Sequence, residues 1–315
     1  MGDVIMIGIR SIQDVMKAVK NENPPKLAVA MAADDLVLNT VSAAKQLGLA
    51  NAVLIGDEKG IKRIAGDLKI DPTPFEIVDI NEPAQAAAEA VRLVASGKAD
   101  ILMKGLLETK DFMKAVIDPD AGLRQGDRII SSMLAVELKK ENRFLFITDI
   151  GFVPLPDLET KKKIIENAVE TMHLLGIKEP KVAVVCATES INPKMQATVD
   201  ARRLEEMNQR NEIQGCVIAG PISLDLAVSQ EAARHKGYTH PVAGRADLLV
   251  VPSLEVGNVL AKTFDYFTDY VTVSIVMGAK VPIVFTSRAT RLELRLNAIA
   301  FAVLLAQRKT KAGER

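Results

Sequence analysis

The sequence predicts an α/β protein made of two α/β domains, with mostly parallel sheets and a cleft between the domains. Short apolar runs alternate with longer helical patterns along almost the whole chain, which is typical of βαβ units. The chain has 315 residues, enough for about two hydrophobic cores. Hydrophobic residues make up 48% and charged residues 25%, as in ordinary globular proteins.

The alternation begins near Lys26 and sets the order of the predicted elements. In the first part of the chain we expect strands at 27–31, 52–55, 75–80 and 101–103 and helices at 35–49, 59–68 and 83–95. Residues 118–127 contain both Gly and Asp and are predicted to form a loop. Beyond the loop we expect strands at 144–148, 182–186, 216–219, 248–251 and 281–285, and helices at 158–175, 195–209, 224–235 and 256–266.

The most informative stretch joins the last of these strands to a long helix. The apolar run 281–285 is followed closely by Ser287 and Arg288. Apolar residues then recur at helical spacing, at Leu292, Leu296, Ile299 and Val303. At the carboxyl end of a strand, a hydroxyl and a guanidinium suit an anion or an oxyanion. The alternative is that Thr286 or Ser287 only caps the helix and that Arg288 is solvated.

Polar or small residues follow four other predicted strands at the same relative position. They are Lys104 and Gly105, Glu189 and Asn192, Gly220, Pro221 and Asp225, and Gly257 and Asn258. Because the carboxyl ends of parallel strands lie at one edge of a sheet, we expect these residues to line a ligand crevice. Each one alone can instead serve as a turn residue, start a helix or allow close backbone packing. Their shared position favours a polar cleft.

Charge and cysteine content bound the class of partner and the compartment. Forty basic residues balance forty acidic ones, so we expect neither nucleic acid nor an anionic membrane as a partner. Cys186 and Cys216 lie in strand-like apolar runs and are expected to be small core residues. The amino terminus has no leader pattern, and the longest apolar run, 296–306, is too short to span a bilayer. We therefore expect a cytoplasmic protein.

Several nucleotide and metal motifs are missing from the sequence. It has no GxGxxG fingerprint after a strand, no P-loop motif, no HExxH and no paired CxxC. A dinucleotide oxidoreductase, a P-loop hydrolase and a zinc enzyme are therefore disfavoured, and we expect no metal site.

Five segments, in this order along the chain, together resemble the phosphate acetyltransferase/phosphate butyryltransferase family. They are 103–105 with Thr109, 187–195, 220–227, 252–258 with Lys262, and 277–288. The resemblance spans nearly the whole chain and is closer to the butyryltransferase branch.

The resemblance implies an acyltransferase that moves a short-chain acyl group reversibly between coenzyme A and inorganic phosphate to give acyl phosphate. Butyryl is the acyl group that we expect. Coenzyme A is then a substrate, and no cofactor stays bound. The implied architecture is isocitrate/isopropylmalate dehydrogenase-like, with residues 1–133 and 289–315 in the first domain and 134–288 in the second. The family also implies a homo-oligomer, a dimer or larger, for which the apolar segment 271–277 is a candidate subunit contact.

Catalytic roles follow from the matching positions. Ser287 and Arg288 match the Ser and Arg that stabilise charge on the carbonyl oxygen and on the departing phosphate. The acetyltransferase branch takes the thiol proton with an Asp at position 294, which is Leu here. Glu293 is the nearest carboxylate and is the candidate base. On its helix it can instead face solvent beside Arg291 and Arg295.

Substrate contacts are expected from the other matching residues. Lys114 takes the place of a second arginine of the acetyltransferase branch, where lysine supplies charge without a bidentate fork. Arg124, in the neighbouring loop, is a further phosphate candidate. The full set expected to bind acyl-CoA and phosphate is Lys104, Gly105, Thr109, Lys114, Arg124, Glu189, Asn192, Gly220, Pro221, Asp225, Gly257, Asn258 and Lys262.

Three positions depart from the family pattern and keep other functions open. Ala219 and Ser253 stand where the family has Asp, and Val153 lies in an apolar pair where it tends to have Asn. One alternative is a phosphate acetyltransferase, and another is a non-catalytic domain that senses CoA esters or acyl phosphates. A third is a metal- and NAD-dependent decarboxylating dehydrogenase of the same architecture, which the missing dinucleotide fingerprint disfavours.

Overall fold

The computed structural model describes residues 8–19, 23–120, 123–124, 126–287 and 290–313, and the chain divides into two compact units. We call residues 12–130 with 273–315 the flanking unit, and residues 131–272 with 8–11 the central unit. The sequence placed the two crossings after residues 133 and 288. In the structure the second crossing falls after Thr272, because the strand at 283–284 pairs with the strand at 101–104.

Strands and helices alternate along both units. The strands, in chain order, are β1 (Lys26–Ala30), β2 (Asn51–Gly56), β3 (Glu76–Asp79), β4 (Ile101–Lys104), β5 (Ser131–Leu138), β6 (Arg143–Thr148), β7 (Lys181–Val185), β8 (Val217–Ile222), β9 (Leu248–Val250), β10 (Thr272–Met277) and β11 (Ile283–Val284). The helices are α1 (Ile12–Ala18), α2 (Asp35–Gln46), α3 (Glu58–Asp67), α4 (Pro83–Ala95), α5 (Thr109–Val116), α6 (Leu158–Leu174), α7 (Gln196–Gln209), α8 (Leu224–Val228), α9 (Gln230–His235), α10 (Leu254–Phe267) and α11 (Leu292–Ala312).

In the flanking unit the strands lie in the order β3-β2-β1-β4-β11-β10. All neighbouring pairs are parallel except β10 with β11. Strands β1, β2 and β4 are buried along almost their whole length, as expected where helices cover both faces of a parallel sheet. The mostly parallel α/β class predicted from the sequence is confirmed.

Local capping explains where the helices of the flanking unit begin. Helix α4 starts with Pro83 in its first turn, where the missing N–H costs nothing, and the Glu82 side chain accepts a hydrogen bond from the Gln85 amide. Asp34 caps α2 by accepting from the Val37 amide at 3.0 Å. Both helices therefore start immediately after a residue in extended backbone conformation.

In the central unit the strands lie in the order β5-β6-β9-β7-β8. Strands β6, β9, β7 and β8 are parallel, and β5 pairs antiparallel with β6. Side chains from these strands and from helices α8 to α10 form one buried apolar cluster, which includes Leu134, Ile147 and Leu249. The sheet again places the carboxyl ends of four parallel strands at one edge.

The structure contains four elements that were not predicted, α1, α5, β5 and β10, and it divides one predicted helix. Strand β5 has no counterpart in the prediction, although most of its residues are buried. The predicted helix 224–235 is two short helices, because Ser229 is extended and its side chain caps α9 by accepting from the Ala232 amide. The apolar segment 271–277, named from the sequence as a candidate subunit contact, is mostly strand β10, which pairs with β11.

Among the residues that the structure describes, no helix is both long and apolar enough to cross a membrane.

Candidate functional site

One edge of the flanking unit gathers predicted site residues. Strands β1, β4 and β11 are adjacent and parallel, so their carboxyl ends lie at the same edge. Lys104, the last residue of β4, is only 8% exposed, and its Nζ lies 5.6 Å from the ring centroid of Phe285. This distance allows a cation–π interaction. The ring of Phe285 also contacts Phe112 of α5, with centroids 6.1 Å apart.

Gly105 occupies a point of close backbone approach at this edge. Its amide donates to the Ala30 carbonyl oxygen at 2.8 Å. A Cβ atom at this position would lie 2.2 Å from the Met31 carbonyl oxygen and 2.5 Å from that of Ala30. Only glycine fits here, so Gly105 lets the chain leave β4 directly beside the end of β1.

The turn after β11, which we call the β11 turn (residues 285–290), carries the predicted catalytic pair. Ser287 is exposed, and its carbonyl oxygen accepts from the Thr290 amide at 3.1 Å. Arg288 lies outside the described residues. The Thr286 hydroxyl oxygen is buried and has no hydrogen-bond partner among the described part of the chain. Such an atom is uncommon in folded proteins, and it leaves a polar group at the turn.

A buried arginine of α11, to which the sequence assigned no role, holds this turn. Arg295 of α11 is 4% exposed. Its Nε donates to the Thr290 carbonyl oxygen at 2.9 Å, and its Nη2 donates to that of Ser287 at 3.0 Å. Burial lowers the pKa of the Arg295 guanidinium, and the Asp34 carboxylate opposes this shift. The two bonds flank the segment that contains Arg288.

The remaining predicted residues of the flanking unit are exposed. Glu293 lies in the first turn of α11, while Thr109 and Lys114 lie on α5, the helix that follows Lys104 and Gly105. Arg124 pairs with Ala279 in an isolated antiparallel bridge. These positions leave the side chains accessible to an anionic ligand.

The edge of the central unit brings Glu189 and Asp225 to one cluster. Ser223, which follows β8, donates a hydrogen bond from its hydroxyl to Glu189, which follows β7. Lys236 lies 3.0 Å from the Asp225 carboxylate and 4.0 Å from that of Glu189. The sequence predicted that Glu189 and Asp225 line the same crevice, because each follows a strand. Lys236, at the end of α9, was missed, because nothing in its local sequence marks it.

Hydrogen bonds keep both carboxylates of this cluster ionised. The Ser223 hydroxyl lowers the pKa of Glu189, and together with Lys236 it lowers the pKa of Asp225 to about 2. In turn, Asp225 raises the pKa of Lys236. Two carboxylates with one ammonium leave a net negative charge, so this edge suits ligand N–H and O–H donors better than phosphate oxygens.

Three other predicted residues of this edge take part in its backbone packing. Gly220 and Pro221 are buried within β8, and a Cβ on Gly220 would lie 2.9 Å from the Ala201 carbonyl oxygen of α7. The Asn192 side chain accepts from the Lys194 amide at 3.0 Å and so shapes the loop after β7.

Helix α10 begins against the turn that follows β6. A Cβ on Gly257 would lie 2.1 Å from the Asp149 carbonyl oxygen, so glycine allows the helix to pack directly on that turn. Asn258, next on the helix, is exposed. Lys262 lies 3.7 Å from Asp265 in an exposed ion pair.

The turn after β6, which we call the β6 turn (residues 149–154), is organised by the Asp149 carboxylate. Asp149 is 3% exposed. One of its oxygens accepts from the Ser132 hydroxyl at 2.6 Å, from the Gly151 amide at 2.8 Å and from the Phe152 amide at 3.3 Å, and the other accepts from the Val153 amide at 3.1 Å. The apolar pair 152–153 is therefore held by its backbone.

Neither cysteine is placed as a nucleophile. Cys186 and Cys216 are both buried and unpaired. Burial raises the pKa of the Cys186 thiol to about 11 and that of Cys216 to about 12, which disfavours the reactive thiolate. Within the described ranges, no group of three or more His, Cys, Asp or Glu side chains is arranged to hold a metal ion.

Known proteins are similar to this chain in sequence and in fold. A family profile described as "Phosphate acetyl/butaryl transferase" matches residues 11–91 and 83–303. The phosphate butyryltransferase of Clostridium acetobutylicum is 44% identical over 96% of this chain and 100% of that protein. The crystal structure of a branched-chain phosphotransacylase from Enterococcus faecalis V583 superposes with a TM-score of 0.80 and 31% identity, covering 90% of this chain and 99% of that one.

A more distant structure shares the fold alone. The 4-hydroxythreonine-4-phosphate dehydrogenase from Klebsiella pneumoniae has a TM-score of 0.55 and 12% identity, over 90% of this chain and 100% of that one. A dehydrogenase-like architecture, expected from the sequence, is therefore confirmed. The fold and the sequence matches together define an acyltransferase. The chain belongs to the phosphate acetyl/butyryl transferase family.

Proposed function

We propose that this acyltransferase moves a short-chain acyl group, butyryl in the first place, reversibly between coenzyme A and inorganic phosphate. The observation that carries this choice is the 44% identity to a phosphate butyryltransferase over nearly the full length of both chains. The edge of the flanking unit supports the chemistry. There the Lys104 ammonium lies over Phe285, two residues before the hydroxyl of Ser287.

In the direction that forms acyl phosphate, a phosphate oxygen attacks the thioester carbonyl carbon. The carbon–sulfur bond then breaks, and the CoA thiolate takes up a proton. In reverse, the thiolate attacks the acyl phosphate carbonyl and phosphate leaves. Ser287 donates to the carbonyl oxygen as its charge develops, and Arg288 offsets the charge of phosphate. Lys104, Lys114 and Arg124 add positive charge for the same anion.

The thiol proton needs a base, and Glu293 is our candidate. It is exposed in the first turn of α11, six residues after Ser287 in the chain. With Leu at position 294, Glu293 is the carboxylate nearest to the position where the acetyltransferase branch has its Asp. Its role is to accept the proton when CoA attacks and to return it when CoA leaves.

The negative edge of the central unit is proposed to take the neutral part of coenzyme A. Glu189 and Asp225 are hydrogen-bond acceptors, and their charge disfavours the phosphates of the nucleotide end. The amide N–H groups and the hydroxyl of the pantetheine arm are donors of the required kind. Gly105, Thr109, Asn192, Gly220, Pro221, Gly257, Asn258 and Lys262 complete the proposed substrate-binding set.

Four further features belong to the same proposal. Coenzyme A acts as a substrate and no cofactor or metal stays bound. The partners are acyl-CoA, inorganic phosphate and acyl phosphate. The protein acts in the cytoplasm as a homo-oligomer, a dimer or larger.

The test is thiol release from acetyl-, propionyl-, butyryl-, valeryl- and isobutyryl-CoA, each with and without inorganic phosphate. We expect phosphate-dependent release with the highest kcat/KM for butyryl-CoA. A preference for acetyl-CoA would assign a phosphate acetyltransferase instead. No release from any of the five thioesters by folded protein that still binds butyryl-CoA in calorimetry would refute the enzyme and leave the sensor.

A further inference from the structure

The buried guanidinium of Arg295 is the feature at this edge that the catalytic roles above do not use. Arg295 is 4% exposed. The two charged residues nearest to it in the sequence, Arg291 and Glu293, are both exposed. A long cationic side chain is rarely buried unless its donors are satisfied. Its Nε and Nη2 donate hydrogen bonds to backbone carbonyl oxygens of the β11 turn.

The two carbonyl groups that it holds are those of Ser287 and Thr290. The Thr290 amide also donates to the Ser287 carbonyl oxygen, so that one carbonyl receives two hydrogen bonds. A guanidinium is planar, and its Nε and Nη2 hydrogens point in fixed directions. Binding both carbonyls at once therefore fixes the distance and the relative orientation of the Ser287 and Thr290 carbonyl groups.

We infer that Arg295 is a positioning residue for acyl transfer, which holds the backbone of Ser287 and Thr290 so that the Ser287 hydroxyl meets the reacting carbonyl. It acts through the backbone and does not touch substrate. This role rests on the proposed function of Ser287 and Arg288. It also explains why a charge is kept inside the unit at this helix turn.

We call the two hydrogen bonds from Arg295 to the Ser287 and Thr290 carbonyl oxygens the basic clamp. Because Arg295 supplies donors and a positive charge, the clamp changes how the turn presents itself to an anion. Donors bind the carbonyl oxygens of the turn, which would otherwise present partial negative charge to an approaching phosphate. The fixed positive charge of the guanidinium is added at the same place, in surroundings of low dielectric constant. A buried carboxylate in this place could not donate to the carbonyl oxygens, and it would add a negative charge.

The experiment compares Arg295→Met and Arg295→Lys with two controls. Arg291→Met makes the same chemical change at an exposed position of the same segment, and Arg308→Met makes it at a half-buried position near the far end of α11. For each variant we measure the melting temperature, kcat and KM for butyryl-CoA and phosphate, and hydrogen exchange of the Thr290 amide.

For Arg295→Met we expect kcat to fall by about a hundredfold with KM for butyryl-CoA changed less than about threefold, as for a small misplacement of catalytic groups. Arg295→Lys should recover most of the melting temperature but little of kcat, because one ammonium cannot span both carbonyls. Both controls should keep the wild-type kcat. Should Arg295→Met fail to fold, the kcat of Arg295→Lys decides alone.

A folded Arg295→Met enzyme with wild-type kcat would overturn the inference. So would Arg295→Lys if its kcat recovered in proportion to its melting temperature, because that outcome describes a purely structural residue. If the wild-type protein releases no CoA, the proposed function fails, and the clamp is judged by hydrogen exchange alone. Faster exchange of the Thr290 amide in Arg295→Met but not in Arg308→Met supports the clamp, and unchanged exchange removes it.

Discussion

The β11 turn and the β6 turn both follow a parallel strand, one in each unit, but charges of opposite sign hold them. In the β11 turn, the buried Arg295 donates to carbonyl oxygens. In the β6 turn, the buried Asp149 accepts from three amides and one hydroxyl. A basic clamp leaves a turn suited to anions, whereas an acidic clamp uses up the amide donors that an anion needs. We therefore expect the first turn to control catalysis and the second to control stability.

The largest effect should come from Arg288, which lies in the sequence between Ser287 and Thr290, the two residues that Arg295 binds. We expect Arg288→Ala to lower kcat by about a hundredfold or more, as seen when a donor to the transition state is lost. The measurement is phosphate-dependent CoA release, with circular dichroism as the check of folding. Arg291→Ala, an exposed arginine of the same segment, is the matched control and should keep its rate. Near-normal turnover by folded Arg288→Ala would break the assignment of catalysis to this turn.

Removing the hydrogen bonds that Asp149 accepts in the β6 turn should lower the free energy of unfolding. Asp149→Ala leaves the Ser132 hydroxyl and three amides without their acceptor, and we expect a loss of about 3 kcal/mol in chemical denaturation. Asp149→Asn keeps one oxygen and should lose about half as much. At temperatures where the variants are folded, kcat should stay within about threefold of the wild type.

An exposed aspartate provides the control for this comparison. Asp157 caps α6 by accepting from the Thr160 amide at 2.8 Å, and Asp157→Ala should cost less stability than Asp149→Ala. If the two losses are equal, burial of the carboxylate is not what stabilises the β6 turn. If Asp149→Asn instead abolishes turnover while remaining stable, the two turns do not divide their roles as we propose.

The glycines beside the two turns provide a matched pair of substitutions. In Gly105→Ala and Gly257→Ala, the new Cβ would lie 2.2 Å and 2.1 Å from a carbonyl oxygen, and each should destabilise its unit by about 1–3 kcal/mol. Only Gly105→Ala should also lower kcat strongly, since it displaces Lys104. Gly66 of α3 has open space around it, so Gly66→Ala should be neutral or slightly stabilising. Equal kcat losses at Gly105 and Gly257 would contradict the division.

The smallest effect concerns an exposed carboxylate. Asp225 has its pKa lowered from 3.8 to about 2, first by Ser223 and then by Lys236. A lowered pKa contributes stability above the unfolded value of 3.8, and that contribution disappears as the pH falls through about 2. Asp225→Asn should therefore melt less than about 2 °C below wild type at pH 7, and the difference should shrink below pH 4. A difference that grows on acidification would contradict this sign.

Elements with strong local signals could be predicted from the sequence. Helix α4 was predicted with its observed bounds, because proline is tolerated in the first turn of a helix but not in its interior, and the apolar residues after Pro83 recur at helical spacing. The gathering of Glu189 and Asp225 was also predictable, since strand ends share an edge. In contrast, the break at Ser229 was missed, although serine followed by glutamine and glutamate is a reasonable start for a helix.

The two clamps were harder to predict, because they depend on contacts far apart in sequence. Arg295 was given no role from the sequence, yet it lies four residues before Ile299 and seven before Ala302, both buried, and so shares their helix face. That spacing was a usable signal. Asp149 had no such signal, since its hydroxyl partner, Ser132, lies on β5, a strand that the prediction lacked.

The pairing of β4 with β11 joins residues that are far apart in the chain, Leu102 with Ile283 and Met103 with Val284, and residues 131–272 of the central unit are synthesised between them. On the ribosome, the early part of the flanking unit must therefore wait with one edge of β4 unpaired, while the central unit can already fold. An open edge of this kind is prone to pair with other chains. Since the β11 turn and Arg295 emerge with the same late segment, we expect the pairing of β11 with β4 also to assemble the proposed catalytic turn.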